Sequence, residues 1–370
     1  MLIGLPRELK AGEQRVGLTP HAVRELVLHD HQVLVESGAG AGIRVSDAEY
    51  EASGALIGSC SEVWEKSELV VKVKEPQASE RKMLGEGQIL FAYLHLAPDP
   101  DQTSDLVDSG AACVAYETVT DSRGGLPLLA PMSRVAGRLA VQAGAWALET
   151  AHGGIGLLIG GVPGVPPARV AIIGGGVVGE NAAEIAIGMG ADVRVLDIDP
   201  AALDHLEQRF GASVVTVTST RATVETEVLG ADLVIGAVLV TGARAPKLVT
   251  ADLIKQMRPG SVVVDVAIDQ GGCFETSKPT THADPTFVVD DVVHYCVANM
   301  PGAVPVTSTR ALSDATLPRV LAIAENGLDA LRTDPHLRAG LNVYKGHVTE
   351  PHVAAALDLP YTDPLTALGC

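Results

Sequence analysis

A chain of 370 residues, 47% hydrophobic and 19% charged, is long enough for two domains and has the composition of a compact globular protein, not a disordered one. A net charge of −18 opposes nucleic acid and anionic membrane surfaces as partners. Cys60, Cys113, Cys273, Cys296 and Cys370 are scattered with no CxxC pair, which argues against a disulfide framework or a metal site and suits a reducing cytoplasm. Met1–Leu5 runs straight into Pro6-Arg7-Glu8, without the basic-then-apolar pattern of a signal peptide. The least polar stretch, Gly153–Ala168, is interrupted by glycines and by Pro163, Pro166 and Pro167, and cannot form a membrane helix.

Strand-like and helix-like segments alternate along the chain, which predicts an α/β fold with mainly parallel sheets flanked by helices. The first third offers strands at Leu2–Leu5, Gln32–Val35, Leu69–Val73, Ile89–Tyr93 and Ala112–Tyr116, with a helix at Pro20–His29. Pro131–Ala151, rich in Ala, Leu and Arg, reads as one long connecting helix. A second set follows: Val170–Ile173, Val193–Leu196, Val214–Val217, Leu233–Ala237, Val262–Val266 and Phe287–Val289, matching the six strands of a dinucleotide domain. Helix returns after Pro305, around Val320–Leu331. The expected division is a discontinuous substrate domain, residues 1–128 plus 306–370, around a Rossmann domain, residues 129–305.

The second set carries the sharpest local signal. Arg169–Ile173 leads into Gly174-Gly175-Gly176-Val177-Val178-Gly179, a GxGxxG turn followed by a small-residue helix and by a strand that ends at Asp197. In that setting Gly174 permits a tight turn, Gly176 lets the backbone approach a pyrophosphate, and Gly179 lets helix and strand pack closely. The helix N-terminus offers N–H groups and a positive dipole end to the phosphates. Asp197 suits the ribose hydroxyls and would repel a 2′-phosphate, which favours NAD over NADP.

Open α/β sheets bind ligands beyond the carboxyl ends of their strands. That rule singles out Lys74, His95 and Asp269 at strand ends, and Arg15 in the polar loop after the first strand. Each has a plain alternative on position alone. Lys74 reads as a solvated strand-end lysine, with Lys72 as a competitor on the same face. His95 reads as a hydrogen-bonded core histidine, Asp269 as a turn former before Gly271-Gly272, and Arg15 as a surface arginine. Two cations, an imidazole and a carboxylate beside a nicotinamide favour the functional reading, with Lys72 expected to matter much less than Lys74.

The motifs Pro6-Arg7-Glu8, Arg15-Val16-Gly17-Leu18-Thr19-Pro20, Val71-Lys72-Val73-Lys74-Glu75-Pro76, Tyr93-Leu94-His95-Leu96-Ala97, Leu129-Ala130-Pro131-Met132-Ser133, Gly160-Gly161-Val162-Pro163-Gly164-Val165, Ile235-Gly236-Ala237-Val238-Leu239, Ala267–Glu275 and Ala298-Asn299-Met300-Pro301-Gly302 together resemble the alanine dehydrogenases over nearly the full chain. The resemblance implies reversible, NAD-dependent deamination of L-alanine to pyruvate and ammonium. It implies substrate binding by Arg15 and Lys74, and acid–base and water chemistry by His95 and Asp269. The NAD site would include Ser133, Gly174, Gly176, Val177, Val178, Gly179, Asp197, Val238, Leu239, Ile268, Asp269, Asn299 and Met300. It also implies a cytoplasmic homohexamer. The chain departs from the family pattern at Arg134, where an acid is usual, at Val306, where a basic residue is usual, and at Arg310, where an aromatic is common. These positions bear on subunit contacts, loop order and cofactor affinity. A transhydrogenase-type NAD-binding subunit and a catalytically silent NAD-binding structural protein are the alternatives. The first predicts an extension toward membrane helices, which the sequence ending at Cys370 does not carry.

Overall fold

The computed structural model describes residues 1–238 and 245–369, and Leu239 of the expected NAD site lies outside them. The chain divides into two compact units, Met1–Met132 with Val304–Cys370, and Ser133–Ala303. The strands of the first unit are β1 (Leu2–Leu5), β2 (Gln32–Glu36), β3 (Leu56–Gly58), β4 (Leu69–Val71), β5 (Ile89–Ala92) and β6 (Ala112–Ala115). The second unit has β7 (Arg169–Ile173), β8 (Asp192–Asp197), β9 (Val215–Thr218), β10 (Leu233–Gly236), β11 (Val262–Asp265), β12 (Thr286–Val289) and β13 (Val292–Tyr295). The chain then returns to the first unit for β14 (Leu341–Tyr344) and β15 (His347–Val348).

The first sheet has the order β15-β14-β6-β5-β4-β1-β2-β3 and is parallel from β3 to β6, with β14 and β15 antiparallel at one edge. The second has the order β12-β13-β11-β10-β7-β8-β9 and is parallel except for β12. Without the antiparallel edges, both follow the doubly wound order 3-2-1-4-5-6. The order reverses between β1 and β4 in one unit and between β7 and β10 in the other, and a doubly wound sheet leaves its ligand crevice at such a point. The central strands are apolar on both faces because helices cover both sides. Val70, Leu90, Ala92, Cys113 and Trp64 join one core, and Ala171, Ile173, Val234, Val263 and Phe274 the other.

The sixth parallel position of the second sheet is occupied by β13, not by Phe287–Val289. That predicted segment is the antiparallel partner β12, joined to β13 through Asp290 and Asp291, with φ of 48° and 61°. Two positive-φ residues are what a tight hairpin requires, but an Asp-Asp pair signals it far more weakly than Asn-Gly. The long helix is Ala130–Ala147, shorter than predicted, and a single 3₁₀ turn at Thr150–His152 follows. In the second unit, an added Cβ at Gly137 would strike the carbonyl of Val178, and one at Gly144 would strike Leu233, so this helix lies directly against the second sheet and the segment after β7. The returning helix starts earlier than predicted, spanning Pro305–Asn326 and running through Pro318. Its buried face, including Ser308, Leu312, Thr316, Val320 and Ile323, outweighs the one lost backbone bond.

Candidate functional site

In the first unit the loop after β1 is long and heavily bonded. The N–H of Val16 donates to Thr309 Oγ1 at 3.2 Å and that of Thr19 to Ser313 Oγ at 3.1 Å, so the returning helix holds the loop's far end. Thr19 then caps the helix Pro20–Leu28, whose first residue is a proline preset for that position. Arg15 in this loop is 2% exposed, which overturns its reading as a surface arginine. Its Nε and Nη2 donate to the two oxygens of Glu13 at 2.7 and 2.5 Å, and its Nη1 to Met132 Sδ at 3.0 Å. Burial alone would raise the Glu13 carboxyl; the hydrogen bonds and charge of Arg15 overcome that and hold it at about 2.

Lys72 and Lys74 do not share an environment. β4 ends at Val71, so the alternation that would place both lysines on one face stops before them. Lys72 is wholly buried, 2.8 Å from Glu80 Oε1, 3.3 Å from Glu8 Oε2 and 6.0 Å from the ring centre of Trp64. Lys74 is half-buried, and its N–H donates to Glu8 Oε2 at 3.3 Å. Lys72 is therefore a structural cation, and its removal would not be the mild control that the sequence suggests.

His95 follows β5 in the left-handed region, φ 50°, uncommon for a residue with a side chain. Glu117 holds this bend by accepting the N–H groups of Leu94 and His95, the latter at 2.6 Å, and its Oε1 lies 3.8 Å from His95 Nδ1. The ring is 46% exposed and stacks on Tyr93, whose hydroxyl donates to the Leu128 carbonyl at 2.6 Å. His95 is thus no buried core histidine. Backbone strain held by a buried frame is a common mark of a working residue.

The second unit builds its face from backbone. Gly174 has φ 107°, and an added Cβ would lie 2.7 Å from the carbonyl of Ala237 at the end of β10; at Gly179 it would collide with the carbonyl of Gly174. At Gly176 no atom of the described residues lies within 4 Å of an added Cβ, and this residue caps the helix Val177–Gly188 without a side-chain bond. Open space at a helix N-terminus fits a pyrophosphate. Asp197 closes the turn by accepting the N–H of Gly175 at 2.5 Å and of Asp199 at 2.8 Å. Ser133 is half-buried near the start of the long helix, and Val238 is half-buried just past β10.

Asp269 sits on a 3₁₀ turn, Val266–Gln270, after β11, and is exposed. It accepts the N–H of Asn299 at 3.2 Å, and Asn299 has φ 56°. Ile268 and Met300 are buried beside these residues in sequence. The turn is fastened by buried Asp265, which accepts from Ala267 N–H at 3.2 Å, Cys273 N–H at 3.0 Å and Ser277 Oγ at 2.6 Å. Burial pushes the Asp265 carboxyl up, against the pull of those donors. Arg15, Lys74 and His95 therefore share the carboxyl end of the first sheet, following β1, β4 and β5. The glycine turn, Asp197, Val238, Asp269 and Asn299 share that of the second. Sequence reasoning missed Glu8, Glu13, Glu117 and Asp265, the carboxylates that hold these groups. Only Glu13, two residues from Arg15, carried a local signal. Arg134, Val306 and Arg310 are exposed.

Comparison with known proteins gives the family. Residues 4–136 match the family model described as alanine dehydrogenase/PNT, N-terminal domain, and residues 140–351 the corresponding C-terminal domain. An alanine dehydrogenase of Halomonas elongata is 58% identical over the whole of both chains. A solved L-alanine dehydrogenase superposes with a TM-score of 0.94 at 51% identity, over 97% of this chain and 99% of that one. A transhydrogenase structure from Sinorhizobium meliloti gives 0.82 at 25% identity, over 95% and 99%. With both halves of the family model matched and full-length relatives above half identity, the chain belongs to the alanine dehydrogenase family.

Proposed function

We propose that this chain is an NAD-dependent L-alanine dehydrogenase that converts L-alanine reversibly to pyruvate and ammonium. The observation that carries the reading is the buried Arg15, clamped by Glu13, at the same sheet end as Lys74 and the strained, accessible His95. Arg15 and Lys74 fix the substrate carboxylate and carbonyl side, supplying the orientation that hydride transfer demands. His95 takes a proton from the substrate amine and returns one to the departing nitrogen, work suited to an imidazole near neutrality. Asp269 orients water and stabilises the positive charge on the substrate iminium.

When bound, NAD supplies the two-electron acceptor. The backbone of Gly174, Gly176, Val177, Val178 and Gly179 would hold its pyrophosphate, and Asp197 its ribose. Ser133, Val238, Ile268, Asn299 and Met300 would line the remainder. The discontinuous unit serves as the substrate domain and the other as the nucleotide domain. A cytoplasmic homohexamer accompanies this reading by family, and light scattering in solution tests the subunit number. No helix among the described residues is long and apolar enough to cross a membrane. The transhydrogenase likeness supports a second reading, a transhydrogenase-type NAD-binding subunit that does not turn over L-alanine. Following NADH while L-alanine is added separates the two: steady production supports the dehydrogenase, and NADH binding without turnover refutes it.

A further inference from the structure

We propose that Glu8 is a positioning residue for Lys74, and through it for the bound oxo acid; this rests on Lys74 as a substrate ligand. β4 ends at Val71, and the N–H groups of Val73 and Lys74 turn to a side chain instead of a strand. Glu8 Oε1 accepts the Val73 N–H at 2.7 Å, and Oε2 accepts the Lys74 N–H at 3.3 Å. The same Oε2 stands 3.3 Å from the Lys72 ammonium. Both carboxylate oxygens are therefore committed to residues 72–74. Lys72 is immobile, gripped by Glu80 at 2.8 Å and packed against Trp64. Glu8 thus ties the backbone that carries Lys74 to a fixed buried cation. Glu8 comes from the loop after β1, so the tie also crosses the point where strand order reverses. A glutamine of the same size cannot replace it. All three groups facing Glu8 are donors, and an amide turns its own donor toward one side.

Glu80 is a matched control. Its side chain is as buried as that of Glu8 and pairs with the same lysine, but its second oxygen accepts the N–H of Gln77 and not that of Lys74. Any effect that stems only from removing a buried carboxylate beside Lys72 should appear in both Glu8→Gln and Glu80→Gln. An effect on Lys74 should appear in Glu8→Gln alone.

The test is steady-state reduction of pyruvate with ammonium, with NADH titrated separately by fluorescence, in wild type and both variants. Glu8→Gln should raise the KM for pyruvate about tenfold, with kcat and NADH affinity changed less than about threefold, while Glu80→Gln stays within about threefold throughout. A loss of folded protein alone would lower apparent kcat and leave KM in place. Equal KM shifts in the two variants, or none in Glu8→Gln, overturn the inference. If Glu8→Gln does not fold, the same contrast is read between Glu8→Asp and Glu80→Asp, which keep the charge and shorten its reach: a pyruvate KM shift confined to Glu8→Asp supports the inference, and equal shifts or none overturn it. An inactive wild type overturns the function and the inference together, whereas an active wild type with equal shifts overturns the inference alone.

Discussion

The two units share one strand order and use it in opposite ways. At its reversal point the first unit places a fourteen-residue loop, Pro6–Thr19, with a buried arginine–glutamate clamp. The second unit places a glycine turn there that buries no charge and leaves space above a helix N-terminus. Under the proposed function, the difference follows from what each ligand would offer. A small oxo acid has one carboxylate and one carbonyl, and only fixed charges can orient it against water. A dinucleotide is long, and repeated backbone N–H groups with one well-placed acid can hold it. The side-chain solution is held by the carboxylates Glu8, Glu13 and Glu117; the backbone solution uses residues small enough to come close, with Asp197 closing the glycine turn and Asp265 fastening the turn after β11.

That contrast can be broken most severely at His95. His95→Ala should lower kcat by about two to four orders of magnitude while NADH affinity holds, since acid–base help is worth that much. Near-normal turnover at neutral pH would reduce His95 to a ring packed on Tyr93.

Lys72→Ala leaves Glu8 and Glu80 buried together without a cation, and should cost about 3–5 kcal/mol of stability, read by urea unfolding. A change below about 1 kcal/mol, the scale of an exposed pair, would mean that this cluster supports nothing.

The Glu13 clamp gives the first unit an acid sensitivity. Its folded pKa of about 2 lies below the ordinary value of 4.5. Its contribution is therefore complete above about pH 4.5 and is lost as pH falls toward 2, at most about 3 kcal/mol across that window. Unfolding free energies measured over that range should fall more steeply in wild type than in Glu13→Gln; parallel slopes would contradict the clamp.

The smallest effect is expected at Asp197. Asp197→Ala should narrow the preference for NAD over NADP by about tenfold in kcat/KM, the worth of one charged contact. An unchanged ratio would place the discrimination elsewhere.

Much of this arrangement was legible in the sequence because it is local. Arg169–Gly179 declares strand, turn and helix within eleven residues, and the strand-end rule located Lys74, His95 and Asp269 without tertiary knowledge. What stayed hidden depends on distant pairing. Nothing near Glu8 announces that it faces residues 72–74, nor near Glu117 that it accepts from residue 95. Lys72 and Lys74 read as sharing one strand face, with Lys72 the mild control, because alternation is extended past Val71, where the strand stops. β13 was missed because an Asp-Asp hairpin turn looks like any acidic loop. β14 and β15, joined at Lys345-Gly346, have no counterpart in the sequence reading, which finds only helix after Pro305.

The division of labour between side chains and backbone is tested most directly by titrating NADH into Gly176→Val and Lys74→Ala. An added Cβ at Gly176 has no atom of the described residues within 4 Å, so the fold should survive while the phosphates lose their space. NADH affinity should fall at least about tenfold in Gly176→Val and stay within about twofold of wild type in Lys74→Ala. Wild-type affinity in Gly176→Val, or an equal loss in Lys74→Ala, would contradict it.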